Sequence, residues 1–75
     1  MTKSELKTVS EIKDQIDSAK GMLEEMIDSF NEKFDEMSSE SQESEKGQTL
    51  QEEIGYLEDA LSNLDAAFED LGNII

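Results

Sequence analysis

Apolar residues recur along this 75-residue chain at spacings of three and four, which is the period of an amphipathic α-helix. The pattern forms two runs separated by a stretch without apolar residues. The first run contains Val9, Ile12, Ile16, Ala19, Leu23, Met26, Phe30 and Met37. The second contains Leu50, Ile54, Leu57, Leu61, Leu64, Phe68, Leu71 and Ile75. No alternating pattern competes with either run, so the sequence predicts an all-α fold.

The segment between the runs, residues 38–48, contains four serines, a glycine and several glutamates. This composition predicts an acidic Ser/Glu loop. The spacing of Thr49 and Glu52 matches a capping box that would start the second helix, and Thr2 and Glu5 match one near the N-terminus. We therefore expect a single helical hairpin over residues 1–75, with helix 1 at about 3–37 and helix 2 at about 49–71.

Two amphipathic helices joined by a short loop predict an antiparallel, coiled-coil-like hairpin. Folding the second run back on the first pairs Ala19 with Phe68 and Ile16 with Leu71. On this register Met26 and Met37 belong to the core, and residues 1 to about 11 have no partner.

The apolar stripes are wider than a two-helix seam requires. Helix 1 adds Ile27 and Phe34 beside its seam, and helix 2 adds Ala60, Ala67 and Ile74. A 75-residue chain also buries little apolar surface by itself. These two observations predict that the hairpin forms a homodimer, a four-helix bundle, or requires another partner.

The charge balance limits the possible chemistry. The chain has 20 Asp plus Glu against six Lys, a net charge of −14, and lacks His, Cys, Arg, Trp and Pro. No disulfide, EF-hand or Glu-x-x-His metal pattern is present, so we expect no cofactor or metal site. Catalysis by paired carboxylates needs a concave site that separates their pKa values, which a narrow hairpin does not offer. Without such a pocket, and without His, Cys or Arg, we expect no enzymatic activity. Six scattered lysines do not favour direct binding to nucleic acid. The absence of a long apolar segment or signal peptide predicts a cytoplasmic protein without a membrane span.

Carboxylates are concentrated on the predicted outer faces of both helices. Glu24, Asp28, Glu32 and Glu36 follow one another at intervals of four residues, about 6 Å along a helix. Like charges at this spacing destabilise a helix, so the row has no evident structural benefit. The acidic residues expected to bind a partner are Glu24, Glu25, Asp28, Glu32, Asp35, Glu36, Glu52, Glu58, Asp59, Asp65, Glu69 and Asp70.

Because DNA also presents closely spaced negative charges, this surface predicts a nucleic-acid mimic. Such a protein would occupy the basic, nucleic-acid-binding surface of a partner protein and inhibit it. The composition is similar to that of small phage proteins that block host defence nucleases, although no motif identifies such a family.

Two other interpretations remain open. The acidic residues can serve only as a solvated surface that keeps the protein soluble. Alternatively, the chain is a structural or adaptor coiled coil, or a co-chaperone subunit, that binds through its apolar stripe. For that interpretation the expected contact residues are Met22, Phe34 and Tyr56.

Overall fold

The computed structural model describes all 75 residues and contains three α-helices and no strand. α1 spans Lys3–Glu36, α2 spans Ser39–Glu43 and α3 spans Glu45–Gly72. The presence of helices alone confirms the all-α prediction. The two long helices, α1 and α3, pack against each other. The molecule is a rod of 58 × 14 × 13 Å. Its length follows from the 34 residues of α1, which extend about 51 Å at 1.5 Å per residue.

The capping box at the start of α1 forms as predicted. The Thr2 hydroxyl accepts a hydrogen bond from the Glu5 amide at 3.1 Å, and the Glu5 carboxylate accepts one from the Thr2 amide at 2.8 Å. These bonds satisfy two of the amides that a helix start leaves without partners. They also lower the pKa of Glu5, mainly through the backbone hydrogen bond from Thr2.

The predicted loop over residues 38–48 is wrong, because most of this segment is helical. Ser38 caps the N-terminus of α2 and Ser44 caps that of α3. Serine hydroxyls that accept from backbone amides can start helices without any apolar residue, which periodicity does not detect. The second long helix therefore begins at Glu45, and Thr49 lies inside it rather than at its start.

Close contact between α2 and α3 depends on Gly47. This residue is buried, and a Cβ atom at its position would lie 2.5 Å from the Ser41 carbonyl oxygen and closer still to that of Gln42. The Gln42 side-chain amide in turn donates to the Phe34 carbonyl at 2.8 Å, near the C-terminus of α1. The segment joining the long helices is thus tied to both of them.

The seam of α3 is the predicted one. Leu50, Ile54, Leu57, Leu61, Leu64, Phe68 and Leu71 are all buried or half-buried. Only Ile75, after the helix end, is 48% exposed. α3 ends at Gly72 with Asn73 as its cap, close to the predicted end.

The predicted seam of α1 is wrong at two positions, Ile12 and Met26, whereas Ala19 is half-buried as expected. Ile12 and Met26, expected in the core, are 41% and 48% exposed. Ile27, expected beside the seam, is only 8% exposed. The observed seam of α1 follows steps of three and four, and all its residues are buried or half-buried. It consists of Leu6, Val9, Lys13, Ile16, Lys20, Leu23, Ile27, Phe30, Phe34 and the C-cap residue Met37.

The helix register also differs from the predicted pairing. The ammonium groups of Lys13 and Lys20 lie 4.8 and 4.7 Å from the centre of the Phe68 ring. Phe68 therefore lies between the levels of Ile16 and Asp17, two to three residues from its predicted partner Ala19. This shift brings the end of the chain level with Val9, which is 8% exposed although it was expected to overhang.

Candidate binding surfaces

The two long sides of the hairpin differ in chemistry. One side is formed by the residues that directly precede every second seam position. In α1 these seam positions are Lys13, Lys20 and Ile27, and in the second half of the chain they are Leu61, Phe68 and Ile75. None of the preceding residues is charged. We call this side the apolar edge, and it consists of Ile12, Ala19, Met26, Ala60, Ala67 and Ile74. Ile12, Met26 and Ile74 are between 41% and 48% exposed, whereas the alanines are half-buried. The hairpin by itself therefore leaves this edge partly uncovered.

A groove lies in the apolar edge where the two helices meet. It has a volume of about 340 Å³ and is lined by Met26, Phe30, Glu53, Tyr56 and Leu57. Four of these five side chains are hydrophobic, and they come from both long helices. A groove of this kind suits an apolar side chain of a protein partner.

A second, larger groove continues toward the α2 end of the rod. It has a volume of about 870 Å³ and shares Phe30 and Glu53 with the first. Its remaining lining residues are Lys33, Met37, Ser44, Glu45, Lys46, Thr49 and Leu50. Charged groups of both signs thus flank its apolar floor, and the ammonium of Lys33 lies 5.1 Å from the centre of the Phe30 ring.

The three apolar contact residues expected from the sequence do not share one environment. Tyr56 and Met22 are 73% and 72% exposed, and Tyr56 lines the smaller groove. Phe34 is half-buried in the seam, and its carbonyl accepts the hydrogen bond from Gln42. Tyr56 and Met22 are therefore available to a partner, whereas Phe34 mainly packs α1 against the rest of the hairpin.

All twelve acidic residues expected to bind a partner are exposed. Glu24, Glu58 and Asp65 each follow a seam position and lie on the side opposite the apolar edge. The row that starts at Glu24 does not run straight along α1. Each four-residue step turns the side chain by about 40° around the axis, since a helix has 3.6 residues per turn. The row therefore crosses the outer face of the helix diagonally.

A cluster of lysines around Phe68 was missed by sequence reasoning. Lys13 and Lys20 occupy seam positions that the apolar pattern assigned to their neighbours, and their ammonium groups both lie against the Phe68 ring. The Lys20 ammonium also lies 2.5 Å from Oδ1 of Asp65. Hydrogen bonding to Asp65 is the main cause that raises the pKa of Lys20. Asp65 is therefore already paired within the hairpin, unlike the other acidic residues of the predicted set.

No group of three or more acidic side chains is arranged to hold a metal ion. No helix has the length and apolar character needed to cross a membrane. Comparison with known proteins gives no matching family model, curated relative or solved structure.

Proposed function

We propose that this chain is a small, non-enzymatic inhibitor that occupies the basic surface of a partner protein, in particular a nucleic-acid-binding surface. The observation that carries the proposal is the exposure of all twelve carboxylates of the predicted acidic surface. Between residues 21 and 75 the chain has 16 acids and two lysines, whereas in residues 1–20 the two signs cancel. The negative electrostatic potential is therefore strongest over α3 and the C-terminal half of α1.

This distribution has a physical consequence for binding. Clustered charge of one sign attracts a basic surface over a distance of several ångströms and raises the rate of association. The attraction falls steeply as salt rises, because the screening length shortens from about 30 Å at 0.01 M to about 8 Å at 0.15 M. A protein that mimics nucleic acid is thus expected to bind tightly at low salt and to compete with DNA or RNA.

We propose further that the chain acts in the cytoplasm as a homodimer in a four-helix bundle, without a cofactor and without binding nucleic acid directly. The support for the dimer is the apolar edge, where Ile12, Met26 and Ile74 remain 41–48% exposed in the single hairpin. Covering this edge would leave the acidic surface as the main surface available to a partner.

The experiment is capture of partners by the immobilised protein from a cell lysate at about 50 mM and about 500 mM NaCl, which spans weak to strong screening. The triple variant Glu24→Lys, Asp28→Lys, Glu32→Lys tests the acidic surface. Its matched control, Glu11→Lys, Asp14→Lys, Asp17→Lys, changes the net charge equally in the balanced N-terminal part. We expect the first variant to lose basic partners and the control to retain them.

Displacement of labelled DNA or RNA from the captured partner shows whether competition is direct. If the first triple variant binds as well as the control, the acidic residues serve solubility and the inhibitor proposal is wrong.

A second function is favoured by a separate observation, the 73% exposure of Tyr56 beside an apolar groove. As an adaptor or co-chaperone subunit, the chain would bind a partner through the apolar edge. Such binding would be abolished by Tyr56→Ala together with Met26→Lys and would change little with salt, whereas a mimic shows the reverse behaviour.

A further inference from the structure

We propose that a second copy of the chain covers the apolar edge with its α2 at the same end of the bundle, so that Lys33 and Glu53 of both copies alternate in a ring. This inference rests on the proposed homodimer and assigns its interface and its orientation. Three observations carry it: the levels of residues along the edge, the distribution of charge on it, and the size of its side chains.

The register places edge residues of α1 and α3 opposite each other. The ion pair shows that Lys20 and Asp65 lie at the same level along the rod. A Cβ atom added at Gly72 would lie 3.7 Å from the Lys13 ammonium, so Lys13 and Gly72 also lie at one level. Extending this register along the rod gives four levels, at each of which two edge residues lie within about 3 Å of each other along the axis. They are Ile12 with Ile74, Ala19 with Ala67, Met26 with Ala60, and Lys33 with Glu53.

Charge is absent from the middle of this edge and balanced at one end of it. The first three levels contain only apolar side chains, and the fourth contains one cation and one anion. The edge can therefore meet a second copy without bringing like charges into contact at these levels, even though each chain has a net charge of −14. The alanines at two of the levels allow helices to approach to the short end of the usual 8–10 Å range.

The level that contains Lys33 and Glu53 determines how the second copy is oriented. When both copies point the same way, Lys33 of one copy lies beside Glu53 of the other, and four charges of alternating sign surround the bundle axis. When the copies point in opposite directions, Lys33 and Glu53 face the isoleucine level of the second copy. Charges placed against apolar groups without partners are strongly unfavourable. The parallel arrangement is therefore the one that the edge fits.

The same arrangement accounts for the two grooves. Glu53 lines both grooves, Met26 lines the smaller one and Lys33 lines the larger one. In the parallel dimer they would be filled by the corresponding side chains of the second copy, and Tyr56 would lie at the rim of the interface.

The first test is sedimentation equilibrium of the wild-type chain and of Met26→Lys. This substitution lowers the net negative charge, so a loss of dimer cannot come from general repulsion. We expect dissociation to become easier by roughly a hundredfold, since it places unpaired charges against apolar groups in the interface. Glu25→Lys, which adds positive charge on the preceding residue outside the apolar edge, is the control and should remain dimeric. Circular dichroism verifies that each variant stays helical.

The second test reverses the charge of Lys33 or of Glu53. Lys33→Glu alone and Glu53→Lys alone should each dissociate into monomers, because each gives a ring of four like charges. Mixing the two variants should restore a dimer that contains one copy of each. In the opposite orientation neither substitution would have this reciprocal effect.

The third test measures orientation directly with a spin label at Ser39→Cys, in a chain that has no other cysteine. The proposal expects a short distance between the two labels, and the opposite orientation a distance that approaches the 58 Å length of the rod.

A wild-type monomer at all concentrations overturns both the dimer and this interface while leaving the acidic surface to be tested independently. A dimer unaffected by Met26→Lys overturns the interface alone. A monomer whose apolar edge captures a different protein, with loss of capture in Met26→Lys, would overturn the interface between copies and favour the adaptor function.

Discussion

The ammonium nitrogen of Lys20 lies 2.5 Å from Oδ1 of Asp65 and joins α1 to α3 across the side of the hairpin opposite the apolar edge. The Lys20 side chain is only 18% exposed, whereas that of Asp65 is 52% exposed. The same ammonium lies 4.7 Å from the centre of the Phe68 ring, so one lysine makes two contacts with the facing helix. A residue that the apolar pattern placed outside the seam thus helps to fix the register.

We expect Lys20→Gln to lower the melting temperature clearly more than Lys7→Gln, which removes the same charge from the exposed N-terminal part of α1. Asp65→Asn should have a smaller effect, because the ring contact of Lys20 remains. Thermal unfolding followed by circular dichroism, at one protein concentration, measures each variant. A double-mutant cycle isolates the ion pair, and strictly additive effects would show that the two side chains do not interact.

The Lys20–Asp65 pair also predicts a dependence on high pH. Its hydrogen bond raises the pKa of Lys20 above the ordinary value of 10.5. A raised folded-state pKa contributes stability that is complete below the unfolded value and is lost as pH rises through the folded value. Between about pH 9.5 and about pH 12, the melting temperature of Lys20→Arg should therefore fall less than that of the wild type, since arginine stays charged. Lys7→Arg serves as the control and should follow the wild type.

Replacing Ile27 tests the corrected seam of α1. Ile27 is 8% exposed, and truncation of a buried isoleucine to alanine costs about 2–5 kcal/mol of unfolding free energy. Met22→Ala, at a side chain that is 72% exposed, should change that free energy by no more than about 0.5 kcal/mol. Urea titration gives both values. Equal effects of the two substitutions would contradict the seam described here.

The seam of α3 could be read from the sequence, and that of α1 only in part. Both helices follow the three-and-four spacing, and α3 has an apolar residue at every seam position from Leu50 to Leu71. In α1, the seam contains Lys13 and Lys20, while Ile12 and Ala19 stand next to them and complete an equally regular apolar pattern. The periodicity favours the apolar neighbours. The long lysine side chains pack in the seam because their ammonium groups reach the Phe68 ring, a contact between distant parts of the chain.

The candidate binding surfaces, like the seam of α1, could be predicted from the sequence only in part. The exposure of the carboxylates and of Tyr56 and Met22 follows from helical position alone. The difference between the two sides of the hairpin depends on which residues form the seam, so the one-position error in α1 concealed the continuous edge of Ile12, Ala19 and Met26. The helical character of residues 39–43 depends on the Ser38 cap and on the close packing at Gly47, neither of which periodicity detects.

Glycine-to-alanine substitutions separate intrinsic helix preference from packing. Alanine favours a helix interior over glycine by about 1 kcal/mol. A Cβ atom at Gly21 would have no neighbouring atom within 4 Å, so Gly21→Ala should raise the unfolding free energy by about 0.5–1 kcal/mol. Gly47→Ala should lower it, because the new Cβ would meet the backbone of α2 at 2.5 Å. Chemical denaturation compares the pair. A gain of stability in Gly47→Ala would show that α2 does not pack against α3 as described.

Added salt should stabilise the folded chain. The chain has a net charge of −14, yet only one ion pair forms in the hairpin. Repulsion among exposed carboxylates therefore outweighs the attraction that salt would weaken, and screening should stabilise the fold. We expect the melting temperature to rise as NaCl increases from about 50 mM to about 500 mM. The variant Glu24→Lys, Asp28→Lys, Glu32→Lys reduces the repulsion, so it should melt higher at low salt and respond less to added salt. If the melting temperature of the wild type stays constant or falls, the carboxylates do not repel one another appreciably in the folded chain. The cost attributed to the acidic row would then disappear, and with it one reason to assign that row a role in binding.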